Sequence, residues 1–344
     1  MRFVFLYTEL AEYFLSCCRE LAKQAEVHIF RYPVNKEAPF QFEFSELNIY
    51  NKSDFNLFSL KEKIKSIQPD VIVCSGWMDK DYNLLARDFR NIIPVVAAFD
   101  TSWRGDLKQQ FLRFISSWYL HSRFTHAWVP GKKQAEYALK LGFKKDKILT
   151  GFYSCNVTYF NGIFNDSIQQ KKSDFPKRFL FVGRYYDFKG VQEMWRAFVE
   201  LKSEFPNDWQ LWCAGVGDII PKLHPDIRHL GFIQPGDMRE ILRQTGVFIL
   251  PSRFEPWGVV VHEHAAAGFP LLLSDQVGAS EQFLVSGTNG FTFQANNIGQ
   301  IKNAMKQIIL LNSTDLLRMA EISHSKAQAI TPGKWVQQIL SIKK

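Results

Sequence analysis

Short apolar runs separated by longer stretches of helical periodicity constrain this chain more than any other feature. In the first half the runs fall at residues 3–7, 27–30, 71–74, 95–99 and 127–130. Each has strand length, and the segments between them leave room for crossover helices, the pattern of βαβ units around a parallel sheet. The pattern fades over residues 152–176, a polar stretch containing Asn156, Asn161, Asn165, Lys171 and Lys172, which reads as an interdomain linker. It resumes at residues 179–182, 210–214, 247–250 and 270–274. With 344 residues, 46% of them hydrophobic, the chain can fill two cores of ordinary size. The expected fold is therefore α/β, with two Rossmann-like doubly wound domains over residues 1–160 and 175–325 facing a central cleft. A last helical segment, about 326–344, can pack back on the first domain.

Composition removes several function classes. The net charge of +8 favours anionic partners, but the cations are dispersed and no nucleic-acid module appears, so nucleic acid is not expected. The five cysteines (Cys17, Cys18, Cys74, Cys155 and Cys213) lack any C-x-x-C spacing, which indicates neither a disulfide framework nor a zinc site and fits a cytoplasmic setting. No stretch approaches the roughly 18 unbroken apolar residues of a membrane span. The opening residues 1–7 suit a first strand better than a secretory leader.

Ligands of open α/β sheets bind beyond the carboxyl ends of the strands, and two stretches carry chemistry there. The first is Phe179-Leu-Phe-Val-Gly-Arg184-Tyr-Tyr-Asp-Phe-Lys189-Gly190. The planar fork of Arg184 and the compact charge of Lys189 suit a diphosphate that gains negative charge as it leaves. The alternative is a pair of solvated loop cations at a helix start. The second is Ile249-Leu-Pro-Ser-Arg-Phe-Glu255-Pro-Trp-Gly-Val-Val-Val-His-Glu263. A helix starting near Gly258 would turn the free amides of Gly258, Val259 and Val260 toward a phosphate. Glu255 and Glu263 can accept hydrogen bonds from sugar hydroxyls on either side of it, unless they are an ordinary helix-start charge and an exposed helix residue. His262 and His264 are two apart and point to different sides, so no metal site is expected.

Together these stretches resemble the donor-binding half of retaining glycosyltransferases of family GT4, with GT-B architecture (glycosyl transferases group 1). The resemblance covers most of residues 179–294 and includes Ala266-Ala-Gly268, Val277-Gly-Ala-Ser-Glu281 and Gly287-Thr-Asn-Gly290. It implies a hexosyltransferase that uses a nucleotide-diphosphate sugar as substrate, with neither cofactor nor metal, in polysaccharide or glycan synthesis. Arg184 and Lys189 would lie on the diphosphate, Glu255 on the donor sugar and Glu263 on the ribose. Phe232 and Ile233 would hold the nucleobase, and Gly183, Gly215, Trp257, Gly258, Val259 and Val260 would complete the donor site.

The resemblance thins in the first half. Family members often carry a His before the acidic residue where this chain has Phe99-Asp100. Asp100 is the remaining catalytic candidate there, or else the N-cap of the next helix. Thr8, Glu9, Trp77, Asp79, Trp103 and Arg104 are candidate acceptor contacts. Asp79-Lys-Asp81 matches a short D-x-D metal pattern but reads as helix capping. Residues 107–124 read as a helix with Leu107, Phe111, Phe114, Ile115 and Trp118 on one side, a core-packed face by expectation. Its basic residues also leave peripheral contact with an acidic membrane face open, where a lipid-linked acceptor would reside. Glycan and small-molecule acceptors are the other options. Alternative functions of the same architecture are a nucleotide-sugar epimerase and a non-catalytic nucleotide-sugar-binding partner subunit.

Overall fold

The computed structural model describes residues 1–34 and 39–342, with Ser117 described by its backbone alone. The chain divides into two units, Met1–Cys155 with Ile330–Lys344, and Asn156–Ala329. Strands β1 (Arg2–Leu6), β2 (Glu26–Arg31), β3 (Asn48–Asn51), β4 (Val71–Ser75), β5 (Val95–Ala98), β6 (His126–Trp128) and β7 (Ile148–Leu149) build the first sheet. Their order is β3-β2-β1-β4-β5-β6-β7, with parallel pairing throughout.

Alternation along the strands fills both faces of this sheet. Val4, Leu6, Ile72, Val95 and Ala97 face one core layer, while Phe3, Phe5, Val71, Val73 and Val96 face the other. The helix Pro332–Leu340 belongs to the second layer. Trp335 is buried there against Phe5 and Trp128, and its indole N–H donates to the Phe152 carbonyl at 2.7 Å.

In the second unit β8 (Arg178–Val182), β9 (Gln210–Ala214), β10 (Ile227–Gly231), β11 (Val247–Leu250), β12 (Leu271–Ser274) and β13 (Gly290–Phe293) form a parallel sheet in the order β10-β9-β8-β11-β12-β13. Each unit is a doubly wound sheet of the Rossmann type, as the sequence pattern implies. The stripe through Val191, Met194, Trp195 and Phe198 forms the buried face of the helix Val191–Glu204.

The stretch 152–176 is not a linker. Residues Val157–Ser173 form a 17-residue helix, capped by the Asn156 side chain, which accepts from the Tyr159 N–H. Its buried face is Val157, Phe160, Ile163, Ser167 and Lys171. A serine and a lysine on that face hide the helical period from a reading that counts apolar residues alone.

Candidate functional site

Strands β8 and β11 are neighbours, and the connections leaving them run to opposite sides of the sheet: β8 continues to β9, and β11 to β12. That is the switch point at which open α/β sheets leave room for a ligand beyond their carboxyl ends. Both sequence stretches singled out for their chemistry leave the sheet there.

The two stretches interlock. After β8 the chain makes a single 3-10 turn at Asp187–Lys189, ended by Gly190 at φ 67°, which caps the following helix. A Cβ at Gly190 would stand 2.4 Å from the Pro251 carbonyl oxygen, so this close approach requires glycine. The Arg253 amide donates to the Phe188 carbonyl at 2.8 Å, and its guanidinium pairs with Asp187 and Glu193. Lys189 pairs directly with Glu255, which also accepts from the Ser252 hydroxyl at 3.2 Å. The Lys189 and Glu255 side chains are 18% and 12% exposed, so the pair is largely shielded and each charge depends on the other.

Residues 277–279 hold the Glu255 loop from the other side. Glu255 bridges Val277, the Gly278 amide donates to the Glu255 carbonyl at 2.9 Å, and the Ala279 amide to the Trp257 carbonyl at 2.9 Å. A Cβ on Gly278 would lie 2.1 Å from the Pro256 carbonyl oxygen. Gly278→Ala is therefore expected to cost about 1–3 kcal/mol through forced displacement of this loop. The unfolding midpoint measures it, and an unchanged midpoint would mean that the loop retreats freely.

Gly258 at φ 94° is the N-cap of the helix Val259–Ala266. A Cβ there would approach the Glu255 side chain to 2.9 Å, so glycine leaves room for that carboxylate. Val259 and Val260 form the first turn, and the half-buried Glu263 lies one turn further. Gly183 and the half-buried Arg184 follow β8, and Gly215 follows β9 with its Cβ position 1.9 Å from the Gly183 carbonyl oxygen. Phe232 and Ile233 follow β10. All of these candidates thus stand at the carboxyl edge of one sheet.

Trp257 departs from expectation. Its side chain is 2% exposed and packs toward Phe283, so the indole lies in the core and not on an open surface. His262 and His264 are also interior. They stack on Phe283 and Phe248 and meet the backbone carbonyls of Ala327 and Val260, and burial lowers their pKa values to about 4 and about 3.

The first unit has a cavity of about 520 Å³ at the carboxyl ends of β1, β4 and β5. Thr8, Glu9, Trp77, Asp100 and Arg104 line it. Asp100 accepts from the Tyr153 hydroxyl at 3.3 Å, and burial, with that carboxylate adding to it, holds the Tyr153 phenol far above its usual pKa. Tyr7, Tyr13 and Tyr153 line the cavity too, and no local motif marks them in the sequence: Tyr7 ends the first apolar run and Tyr153 falls in the stretch that reads as a linker.

Three first-unit assignments change. Asp100 does not cap the next helix; Asp106 does, accepting from the Gln109 amide at 2.8 Å. Asp79 caps the helix Lys80–Phe89, as the capping reading of Asp79-Lys-Asp81 expects, and takes a hydrogen bond from Tyr32, while Asp81 pairs with Lys52 at 2.5 Å; neither carboxylate lines the cavity. Trp103 is not a cavity-lining residue. It packs on Tyr137 beneath the Lys140 ammonium.

Two Rossmann-like units in one chain define the GT-B fold class. The crystal structure of Anabaena HepE in complex with UDP is similar over 99% of this chain and 98% of its own, with a TM-score of 0.74 at 15% identity. Residues 176–310, which hold both interlocked stretches, match the family of glycosyl transferases group 1. Among curated relatives, an uncharacterized glycosyltransferase of Methanocaldococcus jannaschii is 28% identical over 145 residues, 40% of this chain and 36% of that protein. An N,N'-diacetylbacillosaminyl-diphospho-undecaprenol alpha-1,3-N-acetylgalactosaminyltransferase of Campylobacter jejuni is 25% identical over 289 residues, 77% of this chain and 73% of that protein. The match spans only about a third of the length of the first such relatives.

Proposed function

We propose that the chain is a glycosyltransferase that moves a sugar, of hexosyl type, from a nucleotide-diphosphate sugar to an acceptor, with retention of configuration as in family GT4. The observation that carries this reading is the Lys189–Glu255 pair at the β8/β11 switch point, inside the segment that matches glycosyl transferases group 1. A diphosphate entering there would meet Lys189, Arg184 and the first amides of the helix Val259–Ala266, and Lys189 would shift part of its charge from Glu255 to the phosphate. As the anomeric bond breaks, these groups take up the charge growing on the leaving diphosphate, so no metal is needed for that step. Glu255 and Glu263 would then accept hydrogen bonds from the donor sugar and the ribose.

The acceptor would enter the first-unit cavity, where Asp100 can orient it and Arg104 can hold an anionic group on it. Glycan and lipid-linked acceptors both fit that chemistry. A panel of nucleotide sugars tests the reading by protection against thermal unfolding, since a ligand at 100 times its Kd adds about 2.7 kcal/mol to the native state. At least one donor is expected to raise the midpoint and to be consumed slowly without acceptor. Rapid interconversion of the donor sugar would instead identify an epimerase, and the absence of protection by every donor would end the proposal.

A further inference from the structure

The helix Leu107–Tyr119 faces the wrong way for a core helix. Leu107, Phe111, Phe114 and Trp118 recur at i, i+4, i+7 and i+11, yet they are 84%, 67%, 85% and 77% exposed. The expectation of a core-packed face is thus overturned. The inward positions include Gln109 and Ser116, both buried.

Local bonds satisfy the inward polar groups. Gln109 accepts from the Arg104 and Gly105 amides at 2.6 and 3.1 Å and donates to the Ser102 carbonyl at 2.8 Å. Ser116 donates to the Arg113 carbonyl at 2.7 Å. With its inward polar groups satisfied and its first turn capped by Asp106, the helix holds an apolar ridge outward. The ridge is about 16 Å long at 1.5 Å per residue.

The charge around the ridge selects its occupant. Between Asp106 and Glu136 the chain has no carboxylate but carries Lys108, Arg113, Arg123, Lys132 and Lys133. Lys108 and Arg113 flank the ridge on either side and are exposed. A second copy laid ridge to ridge would bring these cations against their own images. An anionic lipid surface takes the Phe, Leu and Trp side chains into its acyl boundary and neutralises the flanking cations at its headgroups.

The same helix is one wall of the first-unit cavity, contributing Lys108, Gln109 and Leu112, and Met78 on the cavity lining is 88% exposed. We infer that the helix Leu107–Tyr119 seats the first unit on an anionic membrane surface and presents the cavity to a lipid-linked acceptor held there. The second half of this inference rests on the transferase reading, whereas the seating does not.

Sedimentation of the full chain with vesicles, in the absence of nucleotide, tests the seating separately from catalysis. Binding is expected to vesicles of phosphatidylglycerol and phosphatidylcholine, with much weaker binding to phosphatidylcholine alone. Phe111→Ser with Phe114→Ser should lower partitioning about tenfold or more. Arg113→Glu should lower it about fivefold or more. Unfolding midpoints of these variants should match or exceed that of the unaltered chain, because the replaced side chains are exposed. Unaltered partitioning of the double variant would overturn the inference. So would failure of the unaltered chain to bind the anionic vesicles, or a dimer that the double variant dissolves, which would assign the ridge to contact between copies. If seating holds, transfer to an acceptor embedded in vesicles should fall with partitioning while transfer to a water-soluble analogue does not. Equal loss on both would overturn the link to the acceptor.

Discussion

Lys189→Ala is expected to slow sugar transfer by roughly 100-fold or more at saturating donor, the size of effect seen when one preorganised contact to a developing negative charge is removed. The loss should fall on kcat, because the contact gains strength as charge builds on the departing diphosphate. Lys189→Arg should recover part of the rate, since it keeps the charge with altered geometry. The substitution also touches stability, because Glu255 is 12% exposed and would keep only the Ser252 hydroxyl as a described side-chain partner. Breaking a buried pair on one side costs about 3–5 kcal/mol, and less for one that retains some solvent contact. The rate must therefore be measured well below the variant's midpoint, with nucleotide-binding stoichiometry reporting the folded fraction. Lys189→Met combined with Glu255→Leu should regain much of the midpoint without regaining activity. A folded Lys189→Ala protein that turns over like the unaltered chain would remove Lys189 from the chemistry.

The elements legible in the sequence are those whose burial is continuous. The runs that became β1, β4, β5, β8, β11 and β12 lie near the middle of their sheets, covered on both faces, and so are almost wholly apolar. The reading missed β3, β7, β10 and β13, which all stand at sheet edges. The β10 sequence Ile-Arg-His-Leu-Gly, for instance, is mostly half-exposed and carries no apolar run. Periodicity likewise reports that a helix has two faces without saying which is inward. Val191–Glu204 and Leu107–Tyr119 carry similar stripes, but one is buried and the other exposed. The inward face of the second carries Gln109, held by Asp106 and by the loop at residues 102–105 through short-range polar bonds that a hydropathy pattern does not encode.

The candidate donor site was legible for a related reason. Its residues cluster in two short stretches with unusual glycines and charges, so proximity in sequence stands in for proximity in space. What holds those stretches together was not legible, because the Gly190–Pro251 approach and the Gly278 bond to Glu255 join residues far apart in the chain. The first-unit cavity is assembled from several strand ends and has no such local signature. Tyr153 therefore went unnoticed, and Asp79 and Trp103 were named although neither lines the cavity.

Lys171 provides the second large effect, on stability rather than on rate. It is 1% exposed, its ammonium lies 3.9 Å from the centre of the Phe269 ring, and it donates to the Gly268 carbonyl at 3.4 Å. Burial lowers its pKa to about 7 from an ordinary value of 10.5. The native state therefore binds fewer protons than the unfolded chain between those two values, and stability rises with pH across that window. Below about pH 7 the lysine is charged in both states and the full desolvation cost is present. Lys171→Met keeps the length of the side chain and removes that cost, so a gain of order 3–5 kcal/mol is expected near pH 6.5. At roughly 2–4 °C per kcal/mol for a unit of this size, the midpoint should rise by about 5 °C or more. The gain should shrink steadily as pH increases toward 10, where the native lysine is already neutral and the unfolded one is becoming so. His264, close enough for Lys171 to depress its pKa, is itself lowered to about 3 and stays neutral throughout. Midpoints of the two proteins measured from pH 6.5 to 10 decide the matter: a difference independent of pH would mean that the Lys171 amine carries the same charge in the folded and unfolded chains.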